Sequence, residues 1–153
     1  MNTPAVLVGI DLGTTVCKAL VFDQDLRLLA GSSRPLALST LSGNEIEQDA
    51  EEWWRTACVV AREALGKSGS NAGQVKGVGV SSQGIAFVPV DESGAPLRPA
   101  FSWLDTRAVA ERRAVVDALG ERRIFSITGK RCSESYVLPK LLWLRENEPA
   151  SWA

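Results

Sequence analysis

The residues best placed for chemistry lie near the start of the chain, in Gly9-Ile-Asp-Leu-Gly-Thr-Thr-Val-Cys-Lys18. An aspartate closes an apolar run, a glycine turns the chain, two threonines occupy the turn and a lysine enters the next run. Gly13 would let backbone N–H groups face outward, where they and the Thr14 and Thr15 hydroxyls can meet phosphate oxygens. Lys18 is in phase with Leu20 and Phe22 and close enough to the turn for its ammonium to reach the same anion. Asp11 could hold Mg2+ directly or through water, because that ion favours a carboxylate, waters and phosphate together. The alternative is a plain hairpin with an Asx-type turn and a surface lysine. Other phosphate motifs are excluded. There is no GxxxxGK[ST], and Gly77-Val-Gly79-Val-Ser-Ser82 begins like a dinucleotide fingerprint but carries Ser82 in the sixth position and is followed by a strand, not a helix.

Elements that would position this turn are visible in the hydrophobic pattern. Apolar runs at 5–10, 16–22 and 26–30, joined by tight turns, predict an antiparallel meander. A polar loop over 32–48 follows. Asp49 as N-cap, with Glu52 three residues on, predicts a capping box that opens a helix over about 50–65, stopped by Gly66. Trp53 and Trp54 would pack on that helix. Strands are expected at 75–80 and 86–90, a turn at Asp91-Glu-Ser-Gly94, and an extended segment to Trp103. A helix from about Thr106 stops at Gly120, and another opens at Pro139. Arg112-Arg113 and Arg122-Arg123 read as a solvated helical face. The pattern predicts an α/β fold with a mixed sheet rather than a regular βαβ repeat.

Composition narrows the function classes. The 153 residues suit one globular domain, 45% of them are apolar, and 17 basic against 18 acidic side chains leave a net charge of −1. That balance gives no electrostatic reason to expect nucleic acid or a membrane surface as partner. No apolar run reaches the length of a membrane span. The absence of histidine excludes Ser-His-Asp and Cys-His catalysis and His-ligated zinc within these residues. Cys17, Cys58 and Cys132 are widely spaced and read as buried thiols of a reducing, cytoplasmic protein.

Several segments together resemble the FGGY carbohydrate kinases, of the actin-like, ribonuclease-H-like ATPase superfamily. Asp11-x-Gly-Thr-Thr with Lys18 and Val21-Phe-Asp23 resembles the family's first phosphate motif. Glu47-Gln-Asp-Ala-Glu-Glu-Trp-Trp54 resembles the start of its first helix, and Val78-Gly-Val-Ser-Ser-Gln-Gly84 the strand ending in the sugar pocket. Ser102-Trp-Leu-Asp-Thr-Arg107 resembles its W-x-D-x-R segment. Thr128-Gly129 and Pro139-Lys-Leu-Leu-Trp143 resemble the helices that follow, all in family order.

The resemblance implies ATP and Mg2+, with Gly13, Thr14, Thr15 and Lys18 at phosphate and Asp11 at the metal. It implies a small sugar or polyol as substrate, met by Gln83, Gly84, Trp103, Asp105 and Tyr136. Gln83 could instead satisfy loop backbone, and Asp105 could instead cap a helix. Gly84-Ile85 stands where glycerol kinases carry Arg-Glu and many D-xylulose and gluconate kinases carry Met-His. The Gln83-Gly84 pair is more like kinases of L-xylulose and related keto-sugars, which favours a keto-sugar of the xylulose type. Members are far longer than this chain and place ATP between two lobes. The resemblance therefore implies a partial N-terminal lobe, with the catalytic base beyond Ala153 and the piece alone inactive. Surfaces that meet the missing part make self-association, as a homodimer, an expectation. The rival readings are an actin- or chaperone-like nucleotide switch and a catalytically inactive sugar-binding regulatory protein.

Overall fold

The computed structural model describes residues 4–152. Two compact units divide the chain: Met1–Leu38 with Asp49–Gln83, and Ser39–Gln48 with Gly84–Ala153.

The first unit is built on a four-stranded mixed sheet. Strands β1 (Val6–Leu12), β2 (Val16–Phe22) and β3 (Leu28–Pro35) form the expected antiparallel meander. A later strand within the same unit, here β6 (Val75–Ser82), runs parallel to β1, giving the order β3-β2-β1-β6. Strict alternation sends Val6, Val8, Cys17, Ala19 and Val21 to one face, where helix α1 (Ala50–Lys67) covers them with Val60 and Ala64. Asp49 is the N-cap, its carboxylate accepting the Glu51 amide at 2.8 Å. Glu52, expected as the other half of a capping box, accepts the Ala37 amide at 3.3 Å. Gly66 does not end the helix. It continues to Lys67, and the Ser68 hydroxyl closes it on the Leu65 carbonyl at 2.7 Å. Trp53 packs against the core as expected, but Trp54 is exposed.

The second unit holds a small three-stranded sheet. Strands β4 (Ser39–Ser42) and β5 (Glu45–Gln48) form a hairpin inside the stretch expected as loop, and β7 (Ala100–Phe101) pairs with β5. The strand expected at 86–90 is reduced to single bridges, Phe87 with Phe101 and Val90 with Pro96. Asp91 does make the turn foreseen, its carboxylate accepting the Ser93 and Ala95 amides. Helices α2 (Val109–Leu119), α3 (Glu121–Thr128), α4 (Val137–Asn147) and α5 (Pro149–Trp152) follow. Phe101 centres this unit's packing, stacked on Phe87 at 4.9 Å and edge-on to Trp143 at 5.9 Å. Of the three thiols only Cys17 is fully buried, and Cys58 and Cys132 are half-buried.

Candidate functional site

The turn after β1 is set by the β1–β2 register. Asp11 and Lys18 are direct cross-strand partners, and both are exposed on the face opposite α1. Side chains paired this way sit about 5 Å apart, so a carboxylate and an ammonium share one small patch. The same row continues to Ser33 beyond Lys18 and to Ser81 beyond Asp11. The Asp11 charge is felt locally: burial first, then this carboxylate, holds the Cys17 thiol above its usual pKa.

Gly13 has a different reason for being glycine from the one expected. Its amide donates within the turn to the Val16 carbonyl at 3.1 Å and so is not free for an anion. A Cβ there would stand 2.8 Å from the same oxygen. The turn is therefore tight enough to exclude a side chain. Thr14 is half-buried in it, and Thr15 is exposed beside it.

β6 brings Gln83 to this end of the sheet. Its amide donates to the Leu12 carbonyl at 2.9 Å, extending the parallel ladder by one residue. Asp11, the 13–15 turn, Lys18 and Gln83 thus gather where β1 and β6 end side by side, at the carboxyl edge where open α/β sheets take ligands. Gly84 and Ile85 follow. Gly84 is exposed with open space where a side chain would stand, and Ile85 is held at φ 55°. A β-branched residue rarely adopts that conformation, which marks the segment as constrained.

Within the second unit the sequence-derived residues separate. Trp103 is 42% exposed, whereas Asp105 is fully buried. Both Asp105 oxygens are engaged: the Ile46 amide donates at 2.8 Å, and Arg107 donates from its backbone and its guanidinium. Nor does Asp105 cap α2, whose N-cap is Ala108. Expected as a sugar contact, Asp105 is instead an internal anchor, because its partners leave it no open edge. Tyr136 stands at the start of α4, with the Lys130 ammonium 5.6 Å from its ring. It lines a cavity of about 230 Å³ with residues such as Val115, Ile124 and Leu138. Walls so apolar offer a sugar hydroxyl no partner, so the expected sugar contact at Tyr136 has no support from its surroundings.

Sequence reasoning missed the charged cluster behind Trp103. Glu47, buried, accepts Arg107 at 2.8 Å and also Arg98, which reaches on to Glu148 at 3.0 Å. The Arg107 guanidinium lies over the Phe101 and Trp143 rings at 4.9 and 4.8 Å. Burial opposes the Arg107 charge, but Asp105 and Glu47 outweigh it and raise its pKa. Lys140, also buried, completes the group. The available signal was a lone lysine inside the apolar run Val137–Trp143.

Among the described residues no three metal-ligating side chains cluster, and no helix is long and apolar enough to cross a membrane. Mg2+ needs no such cluster. An exposed single carboxylate, as at Asp11, fits an ion that retains most of its waters.

Comparison with known proteins gives this arrangement its context. Xylulose kinase from Staphylococcus epidermidis is 34% identical over 96% of the chain. That from Streptomyces coelicolor is 35% identical over 94%. The chain spans 29% of the length of each. The crystal structure of xylulose kinase from Rhodospirillum rubrum superposes with a TM-score of 0.89, at 28% identity, over 96% of this chain and 30% of that one. Its likeness supports the expected actin-like, ribonuclease-H-like α/β class, with a mixed sheet and flanking helices. The family model described as "FGGY family of carbohydrate kinases, N-terminal domain" matches residues 6–153, and to that family the chain belongs.

Proposed function

We propose that these residues are the front part of the N-terminal lobe of a cytoplasmic, Mg2+- and ATP-dependent kinase that phosphorylates a hydroxyl of a keto-sugar of the xylulose class. The observation that carries the reading is the Asp11–Lys18 pair, exposed on one sheet face beside the tight 13–15 turn. Relatives named xylulose kinase support the substrate class. A chain spanning 29% of their length supports a catalytic base supplied by a longer protein.

Each residue then has a defined task. The Lys18 ammonium neutralises charge on the transferring phosphoryl group, and the Thr14 and Thr15 hydroxyls and the turn backbone orient it. Asp11 would hold Mg2+ through water, and the ion would supply charge neutralisation at the phosphate. Gln83 offers an amide to sugar hydroxyls, and the space at Gly84 leaves room for the sugar. Trp103 offers an indole face to its C–H surface. Asp105 supports the Trp103 turn from inside.

The phosphate assignment is tested in the full-length protein. Lys18→Ala should lower kcat/KM for ATP by about 10- to 150-fold, the equivalent of ~1.5–3 kcal/mol for a lost charge-assisted contact. Thr14→Val should lower it less, with the fold intact by circular dichroism. Native kinetics in both variants would remove the phosphate role from this turn.

A further inference from the structure

Lys140 has no task in the reading above, yet its position is costly. It is fully buried, and its ammonium donates to the Ser102 carbonyl at 2.7 Å. A buried ammonium is hard to justify on stability alone, since a well-packed apolar side chain of similar volume usually does as well. Nor does the carbonyl need it to be satisfied, because the Asp105 amide already donates to it at 3.1 Å.

What Lys140 adds is a second, independent restraint on one short turn. Ser102 is itself fully buried, and its amide donates to the Ile46 carbonyl at 3.0 Å. Its hydroxyl accepts the Leu104 amide at 3.3 Å. Asp105, at the far end, is held by Ile46 and Arg107. Trp103 is thus the half-exposed tip of a turn whose two ends are completely buried. The Ser102 carbonyl belongs to the peptide unit that leads directly into Trp103. Two donors on that oxygen fix the peptide plane, and with it the direction in which the indole leaves the backbone.

We propose that Lys140 is a positioning residue for Trp103: by binding the Ser102 carbonyl it orients the indole that meets the sugar. The inference rests on the reading of Trp103 as a sugar contact. It is tested by a double-mutant cycle in the full-length kinase, with D-xylulose as the sugar probe. Trp103→Ala and Lys140→Met should each raise KM for the sugar about tenfold, leaving kcat and KM for ATP within about twofold. The double variant should be no worse than either single one. Should Lys140→Met fail to fold, Lys140→Gln enters the same cycle. Additive effects, an unchanged sugar KM in a folded Lys140 variant, or an equal rise in KM for ATP would overturn the proposal. If Trp103→Ala leaves the sugar KM unchanged, the Trp103 contact itself is wrong, and the inference falls with it. If only Trp103→Ala acts, the contact stands and the role of Lys140 alone is refuted.

Discussion

At the scale of single residues, burial decides which polar groups are tools and which are fasteners. Asp11 and Lys18 are exposed partners, whereas Asp105 and Lys140 are sealed. Burial sets the Lys140 pKa at about 8 against the ordinary 10.5, Asp105 opposing the shift and Arg107 adding to it. Between those values the unfolded chain binds a proton that the native protein has shed. Native stability relative to Lys140→Met should therefore rise with pH across that window, by about 3 kcal/mol, and fall back as the pH drops. Denaturant titrations of both forms at about pH 7.5 and about pH 10 check this; a flat or declining difference contradicts it. The Asp11–Lys18 pairing around the 13–15 turn was legible because these residues lie close together in sequence. The anchoring of Asp105 was not, since its partners Ile46 and Glu47-bound Arg107 join positions some 60 residues apart.

Elements follow the same division between local and distant causes. β2 falls where its alternation puts it, and α1 starts at its Asp49 cap. β4 is exposed along its whole length, so it has no apolar pattern to read, and it hides in a polar stretch. Arg122-Arg123 was read on a helical face, but α3 was given no bounds, because it opens directly behind Gly120, a residue read only as a stop, and buries none of its own side chains. Two substitutions probe the turns. Gly13→Ala should destabilise the protein by about 1–3 kcal/mol, because its Cβ would press on the Val16 carbonyl from 2.8 Å. An unchanged melting temperature would show that the turn is looser than described. Leu26 sits in the β2–β3 turn at φ 60° with its side chain 70% exposed. Leu26→Gly should stabilise by about 0.5–1 kcal/mol, relief of the left-handed strain outweighing glycine's added chain entropy. A lower melting temperature would mean that the leucine packs in a way its exposure hides.

For the molecule as a whole, apolar side chains left open are as informative as those buried. Val78 and Val80 on β6 are 60% and 69% exposed, and Ile127 on α3 is 74% exposed. Open apolar surface of this kind favours association with other protein surface. Residues 1–153 alone should accordingly self-associate by light scattering and, on the proposed reading, should release no ADP in response to sugar. Sugar-dependent turnover by a clean monomer would place the base among the carboxylates of this chain. The central claim, a phosphate turn serving a keto-sugar kinase, meets its most direct test in a coupled ADP-release assay. The full-length protein is given Mg-ATP and a panel of ketoses, sugar acids and polyols. The account predicts turnover that needs both Mg2+ and sugar, fastest with a keto-sugar of the xylulose class and far slower with glycerol. Glycerol as the best substrate, or ATP hydrolysis indifferent to every sugar, would contradict it.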